Sequence, residues 1–462
     1  MSLIALISCQ QISETNQDEQ IQRTKYRNAE EHDYHVSLNE VNLFASCHCK
    51  EGGYTITPLT KSADTLLFIV NYDDGWMIVA GDKRVAPTLA EGPEGNIDLD
   101  SAPEGLSVWI DSMAEDISKY REFSSVEENE NTRFWQRFSP QDIKVNAKEC
   151  MTRYDPPVEK WYAITYQPEL LSETSWDSIP HLIPIKWGQG YPWNSKCPID
   201  TKVDTRCYLG CTATALGQMV YYMHYNLNKP NQLYHYITCT KTTVNGKTQN
   251  IGFVRDSLFL SSTRWNDMAV NWYGSSSGIE YAGDLMLDIG NRLGMKYSGE
   301  GSGASLSTSA ISNYYNLSYT EDDYSFAPVL SNLLDSLPVI SIAYSERGWL
   351  GLSYSGGHTW VIDGIHCVTR HYRTITEFEC SENWMNHLPA YDTFEELALA
   401  YGIQDPHDQI IDYFSTDFLY LLMNWGYDGS FDNGYYGTYP TDDWFVGSIN
   451  YQYKRKIYYD FQ

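Results

Sequence analysis

One cysteine stands where a helix is predicted to begin, and this position favours reactive thiol chemistry. Cys211 follows Gly210, and apolar residues recur after it at steps of three and four, which predicts an amphipathic helix. The apolar face comprises Leu216, Met219, Val220 and Met223. A thiol at a helix N-terminus meets unpaired backbone N–H groups and the positive end of the helix dipole, which both favour the thiolate. Small neighbours leave room for a substrate carbonyl; they are Gly210, Ala213 and Ala215.

A histidine that opens a predicted strand is the natural partner for this thiol. His358 follows two glycines and precedes the apolar run 359–362, which is typical of the start of a buried strand. A cysteine on a helix start and a histidine on a strand start are what nucleophilic cysteine catalysis requires. Taken singly, each residue also has a structural interpretation. Cys211 would be a small buried apolar residue, and His358 a histidine satisfied at a strand edge.

The elements that must position these two residues belong to a larger C-terminal unit, residues 181–462. Its periodicity predicts further helices at 281–293 and 329–337, and strands at 339–344 and 359–365. A glycine- and serine-rich loop covers 298–307, and the tail 445–461 alternates like a terminal strand.

A smaller α+β unit is predicted before it, over residues 36–125. The pattern indicates a short helix at 37–46, strands at 66–70 and 76–80 joined by a turn, and a helix at 106–123. Residues 126–180 are rich in Glu, Asn, Pro and Ser and show little periodicity. They predict an exposed linker, which is a preferred place for a proteolytic cut.

Four blocks in this chain resemble, in order, the signature blocks of the streptopain family of bacterial cysteine peptidases. They are W-G-Q-G-Y-P-W-N at 187–194, G-C-T-A-T-A-L-G-Q-M at 210–219, G-G-H-T-W-V-I-D-G at 356–364 and N-W-G-Y-D-G at 424–429. The region 66–100 resembles that family's propeptide domain. The loop M-K-Y-S-G-E-G-S-G-A-S resembles the wall of its substrate cleft.

The resemblance implies an α+β fold: a papain-like catalytic domain, with a helical lobe and an antiparallel β lobe, preceded by a small α+β propeptide domain. It implies no metal and no organic cofactor. Carried over residue by residue, Cys211 is the nucleophile, His358 the base and Gln189 a donor to the oxyanion, while Asn424 and Trp425 lie beside the histidine. The alternative for Gln189 is an ordinary turn glutamine between two glycines.

The histidine needs a third group to fix its tautomer. Asn424 is expected to provide its side-chain carbonyl, while Trp425 shields that bond from water. Asp363 is the competing candidate, but on a regular strand it faces away from His358, so a structural role is expected for it. Substrate backbone is expected to bond near Ser302, Gly303 and Gly357, for which ordinary loop positions are the alternative.

Two departures from the family pattern concern the region after the histidine. An insertion at about 367–420 replaces an expected short hairpin, and it contains Cys367, Cys380 and His387. Tyr427 stands where the family usually has Trp. The insertion is expected to reshape or cover the primed side of the cleft, so the family's specificity does not transfer.

Composition restricts the partners and the location. A net charge of −28 argues against nucleic acid and anionic membranes as partners. The apolar start ending at Cys9 looks like a lipoprotein processing box, so residues 1–35 predict export, a flexible tether and a lipid anchor on Cys9. An extracellular, outer-surface or periplasmic bacterial location follows. Two cysteine pairs are near enough in sequence to form disulfides, 197 with 207 and 367 with 380.

The sequence therefore predicts an exported cysteine endopeptidase made as a zymogen. Its partners are protein or peptide substrates, and its own propeptide, which acts as an intramolecular inhibitor. Two alternatives remain at this point. One is a catalytically inactive papain-like binding or adhesion protein, and the other is a transpeptidase or amidase on the same scaffold.

Overall fold

A computed structural model describes most of the chain. The described residues are 34–49, 52–61, 63–121, 129–138, 159–227, 241–245, 247–250, 262–346, 355–382, 390–430, 432, 434–437 and 455–462. The predicted lipid anchor at Cys9, nearly all of the predicted start and tether, and Cys150, Cys239 and His387 lie outside these ranges. In the described ranges, every helix is too short or too polar to cross a membrane.

The elements before residue 140 form what we call the N-terminal unit. They are α1 (Leu38–His48), β1 (Tyr54–Lys61), β2 (Asp64–Tyr72), β3 (Gly75–Ala80), β4 (Thr88–Gly92), α2 (Glu104–Arg121) and α3 (Glu130–Gln136). Ser37 begins α1 with a capping box, in which its side chain and that of Glu40 each bond the other's backbone N–H. The helix, the two strands and the second helix predicted for this region are confirmed.

The stretch predicted as an exposed linker contains regular structure in its described parts. Besides α3 it holds β5 (Glu159–Thr165) and β6 (Glu169–Ile179), which both pair antiparallel with the long strand β14 (Ser355–Glu382). The linker interpretation is wrong for these strands. Most of the β6 side chains are exposed, so backbone pairing holds the strand and no apolar alternation marks it in the sequence.

The remaining elements form the C-terminal unit. Its helices are α4 (Cys211–Tyr221, continued by a π-helical turn, Tyr222–Asn226), α5 (Ser262–Asp267), α6 (Ser276–Arg292), α7 (Thr308–Tyr315), α8 (Phe326–Leu334) and α9 (Phe394–Tyr401). Besides β14, its strands are β7 (Ile199–Asp200), β8 (Thr205–Arg206), β9 (Lys241–Val244), β10 (Lys247–Asn250), β11 (Lys296–Tyr297), β12 (Thr320–Asp323), β13 (Val339–Glu346), β15 (Ala390–Tyr391), β16 (Ile410–Asn424), β17 (Tyr435–Gly437) and β18 (Arg455–Tyr459). The predicted α+β class, with a helical part and an antiparallel β part behind a small α+β unit, is confirmed.

One sheet runs through both units. Its path is β1-β2-β3-β4-β17-β16-β14-β13-β18-β12, and the two units join where β4 pairs with β17. β14 and β16 continue as a long antiparallel pair, and β6 and β5 pair in turn with the other edge of β14. The residues of the predicted insertion, about 367–420, include the far parts of this pair together with β15 and α9.

The helix α4 is buried on every side. The predicted helix is present, and all of its residues are buried, from Cys211 to Tyr221, so its polar and small residues are covered as well as its apolar face. The reason is its central place: it packs on α6 on one side and on β14 on the other. The apolar face of α4 and its face of small residues are therefore both packed against other parts of the protein.

The two candidate cysteine pairs lie differently in the fold. Cys367 and Cys380 lie on the same strand, β14, thirteen residues apart, which is roughly 43 Å at the rise of an extended strand. A disulfide spans about 6 Å between Cα atoms, so this pairing within one chain is excluded. Cys197 and Cys207 flank the short β7–β8 hairpin and are both buried.

Candidate active site

The first turn of α4 places Cys211 against a crowded segment. Gly210 precedes it with φ of +94°, a conformation that a side chain would strain. A Cβ at Gly210 would also lie 2.7 Å from the Met295 side chain and 3.0 Å from the Ser302 carbonyl. Glycine is therefore required there twice over. The space that the sequence assigned to substrate beside Gly210 is occupied by protein.

A hydrogen bond joins the beginning of α4 to the strand that carries His358. The hydroxyls of Thr212 and Thr359 lie 3.0 Å apart, and each residue directly follows one of the two candidate catalytic residues. Cys211 is 7% exposed and His358 is fully buried. The structure thus brings the helix start and the strand start together, as the sequence predicts.

The imidazole of His358 is oriented by a main-chain carbonyl. Its Nε2 lies 3.2 Å from the Trp425 carbonyl oxygen, and because a carbonyl only accepts, Nε2 carries the proton. The lone pair of the neutral ring is then on Nδ1. The ring also lies nearly parallel to that of Trp360, with the centroids 6.3 Å apart. This tautomer is the one in which Nδ1 can take a proton from a thiol.

Asn424 does not orient the histidine through its side chain. Its amide exchanges hydrogen bonds with the Gln218 amide at 2.9 and 3.1 Å, and it also donates to the Ile185 carbonyl and accepts from the Gly426 N–H. The expected bond from its side-chain carbonyl to His358 is replaced by the bond to the Trp425 backbone. Neighbouring residues at a strand end face opposite sides, so Asn424 points to α4 while Trp425 lies beside the ring.

Asp363 is engaged elsewhere, on a bulge of β14. Its carboxylate bonds His181 Nδ1 at 2.7 Å and accepts the Ile183 N–H. Burial alone would lower the pKa of His181, but the charge and hydrogen bond of Asp363 raise it to about 9. The ring is therefore an imidazolium at neutral pH, and Asp363 is its counter-ion.

Asp432 supports the residue that holds His358, and it is not among the residues predicted from the sequence. Its side chain accepts the Trp425 N–H at 3.1 Å, and its own carbonyl accepts from His181 Nε2 at 3.0 Å. Burial raises the pKa of Asp432 to about 7, against the lowering effect of that N–H. Its partners are distant in sequence or backbone groups, so no spacing pattern marks it. The one sequence signal for Asp432 is its position, eight residues after Asn424 and close to the fourth block.

Gln189 lies next to the segment that leads into α4. The main-chain carbonyl of Gln189 accepts the Leu209 N–H at 2.9 Å, and the residue is buried. Its neighbour Gly188 forms a bridge with Tyr427, and a Cβ on Gly188 would lie 2.5 Å from the Asp428 carboxylate. The first block is thus held between the Cys211 segment and the fourth block. The oxyanion role of Gln189 stays a prediction.

The residues predicted to bind substrate backbone lie on two sides of this centre. Ser302 is beside Gly210, and its hydroxyl bonds within its own loop, accepting the Ser298 N–H at 3.0 Å. Gly303 bridges to Lys296, and Gly357 pairs with Tyr344 on β13 directly before His358. The Ser302 hydroxyl and the Gly303 backbone are therefore both engaged within this loop. The substrate-binding role of Ser302, Gly303 and Gly357 stays a prediction.

A helix of the N-terminal unit lies directly on the histidine. A Cβ at Gly105, in the first turn of α2, would be 2.5 Å from His358 Cδ2 and 2.6 Å from Trp425 Cε3. Trp109, one turn on, packs edge-on to Tyr436 with ring centroids 5.4 Å apart. The glycine thus allows the α2 backbone to touch the ring, and α2 covers the site on that side.

Comparisons with known protein families match both units. The model of the Peptidase C10 family matches residues 187–436, which is more than half of the chain. The model described as Spi protease inhibitor matches residues 13–117. A search of curated proteins found no match.

Solved structures from Prevotella intermedia also align with the chain. A fragment of prointerpain A aligns over 88% of this chain and 98% of its own, with 16% identity and a TM-score of 0.48. The active wild-type interpain A cysteine protease aligns over 48% of this chain and 87% of its own, with 22% identity and a TM-score of 0.31.

Proposed function

Because the chain belongs to the Peptidase C10 family, and is a cysteine peptidase with a propeptide inhibitor domain, we propose that it is an endopeptidase in which Cys211 and His358 react. The observation that carries the proposal is the bond between Thr212 and Thr359, which fixes the beginning of α4 against the beginning of the catalytic part of β14. The Nε2 tautomer set by Trp425 supports the same pairing.

The chemistry follows from these positions. His358 Nδ1 takes the thiol proton, and the Cys211 sulfur attacks the carbonyl carbon of a peptide bond. The resulting oxyanion is stabilised by the Cys211 backbone N–H at the helix start and by the Gln189 amide. The imidazolium then gives its proton to the leaving amine, which departs and leaves a thioester. Water, deprotonated by His358, attacks the thioester, and collapse of this second intermediate releases the acid and restores the thiol.

The N-terminal unit acts as the inhibitor of this site. The support is the contact of Gly105 with the His358 ring, which puts a helix directly against the proposed base. A cut between residues 126 and 180 would break the covalent connection between the unit and the enzyme. Export, and a lipid anchor on Cys9, complete the proposal and are supported by the sequence of the start.

The proposal is tested by comparing the full chain with its Cys211→Ala and Cys380→Ala variants under reducing conditions. Cys380 is an exposed cysteine far along β14, so its variant is the matched control. The parent and the control should trim themselves and cut an internal bond of a test protein, with products that gain one water. Cys211→Ala should do neither. Activity that survives Cys211→Ala, or products that gain an amine, would contradict the proposal.

A further inference from the structure

The predicted insertion contacts the N-terminal unit at a place remote from the active site. We call residues 367–382 of β14 and 410–420 of β16 the distal hairpin. Tyr372, at its middle, is fourteen residues from His358, or roughly 46 Å along an extended strand. Around Tyr372 the distal hairpin pairs with β6, and it contacts α1, α3 and β4 of the N-terminal unit.

An aromatic cluster forms the apolar half of this contact. Tyr372 is fully buried and stacks on Phe414, with ring centroids 5.0 Å apart. Phe134 and Phe138, at α3, meet the Tyr372 ring edge-on at 5.9 and 6.3 Å. Without the N-terminal unit, these rings would face water. Their burial therefore favours the docked state.

A histidine of α1 closes the same cluster. His48 Nδ1 donates to the Phe44 carbonyl at 2.7 Å, so Nε2 accepts the Tyr372 hydroxyl at 3.1 Å. Burial, and the nearby charge of Arg370, lower the pKa of His48 to about 3, so the ring is neutral as this bond requires. Cys47, beside it, donates to the Pro168 carbonyl just before β6. The C-terminal end of α1 is thus hydrogen-bonded to the distal hairpin through His48 and to the segment before β6 through Cys47.

A buried arginine forms the polar half. Arg370 is 2% exposed and bonds two carboxylates, Glu91 on β4 and Glu173 on β6. Glu91 belongs to the N-terminal unit, whereas Arg370 and Glu173 lie on the other side of the contact. Removing Glu91 would leave a buried cation with one partner, and breaking such a pair is strongly unfavourable.

We propose that the distal hairpin is a second docking site for the chain's own N-terminal unit, and that it keeps this unit bound after the connecting segment has been cut. The inference rests on the proposed function for the occurrence of that cut. It gives the insertion a role in regulation: the cut enzyme is still inhibited until the N-terminal unit leaves the hairpin.

The test uses the full chain with Cys211→Ala, so that no proteolysis of its own takes place. A recognition site for a sequence-specific protease is inserted between Lys148 and Glu149, the protein is cut, and its fragments are followed by size-exclusion chromatography. The fragments should elute together. Dissociation of the N-terminal fragment, measured after dilution, should be about tenfold or more faster with Tyr372→Ala and with the isosteric Glu91→Gln.

Two further variants sharpen the test. Glu377→Gln is the matched control, because Glu377 lies on the distal hairpin but bonds Tyr166 and Gln409, outside the N-terminal unit. Its dissociation rate should equal the parent's. Gly105→Leu, which disturbs only the active-site contact, should leave the fragments together.

Separation of the parent fragments on the column would overturn the inference. The inference would also be overturned if Tyr372→Ala and Glu91→Gln both dissociated at the rate of Glu377→Gln. Release of the N-terminal fragment by Gly105→Leu alone would overturn it as well. The experiment measures binding between the fragments of an inactive protein. Its result therefore does not depend on the proposed peptidase activity, and the two proposals can fail separately.

Discussion

At the scale of single residues, the orientation of His358 depends on a backbone carbonyl whose own position is set by a buried acid. Trp425 donates its N–H to Asp432 and receives the His358 N–H at its carbonyl. Asp432 is in turn held by His181, the partner of Asp363. A change at Asp432 therefore reaches the histidine through one peptide unit.

Asp432 should make the folded protein less stable as pH rises. Its pKa of about 7 in the folded state exceeds the ordinary value of 3.8, so the folded state keeps a proton that the unfolded chain has already lost. This contribution to stability is complete below about pH 4 and is lost as pH rises to about 7. In the Cys211→Ala protein, ionisation of Asp432 should lower the free energy of unfolding by about 2–4 kcal/mol between pH 4 and pH 7. Asp432→Asn should abolish this part of the decrease, as measured by urea unfolding at several pH values.

The control for this prediction is Asp417→Asn. Asp417 is exposed and bonds Thr369 on the surface, so its variant should keep the parent's pH profile. An Asp432→Asn profile with the parent's slope between pH 4 and 7 would show that this carboxyl does not hold a proton in the folded state.

Among the elements, α2 approaches the His358 ring most closely at Gly105, its one residue without a side chain. Gly105 lies in the first turn of α2, where its backbone meets the His358 ring, and Trp109 anchors the next turn on Tyr436. Glycine is a poor helix former, so its presence there is explained by the close approach and not by the helix.

Gly105→Ala should therefore weaken inhibition although it favours the helix. A methyl group 2.5 Å from the His358 ring forces α2 or the ring to shift, and we expect the full chain to activate itself about tenfold faster. The time course of peptide hydrolysis from the moment of dilution into reducing buffer measures this. Glu115→Ala, at an exposed position of α2 where the side chain pairs with Lys119, should leave the lag unchanged. An unchanged or longer lag in Gly105→Ala would contradict the inhibitory contact.

The sequence was most informative where local pattern and function coincide. The residues around Cys211 and His358, and the strands and helices with clear apolar periodicity, were predicted because neighbours in the chain determine them. β6 was missed because its side chains are polar and its stability comes from pairing with β14. The bonds of Asn424 to Gln218, and of Asp432 to Trp425, could not be predicted, because they join segments whose packing no spacing reveals.

At the scale of the whole molecule, one sheet joins the N-terminal unit to the enzyme, and β5 and β6 lie on the enzyme's side of the division. Both strands bond to β14 over their whole length. A protease needs an extended, unpaired segment, so paired strands resist cutting.

The activation cut should accordingly fall outside these strands. We expect the mature enzyme to begin between residues 139 and 158, with β5 and β6 retained. N-terminal sequencing of the self-processed protein measures this directly. A mature N-terminus between 165 and 180 would mean that β5, or both strands, leave with the N-terminal unit, and it would contradict their place on the enzyme's side.

Covalent labelling with a peptide-like epoxide directed at thiols shows whether Cys211 and His358 act together beneath α2. Intact-mass and peptide analysis should find one inhibitor per chain, on Cys211, in the processed enzyme. Almost none is expected in its His358→Ala variant or in the full chain with α2 in place. Equal labelling of Cys211 in all three proteins, or labelling of a different cysteine, would contradict the account.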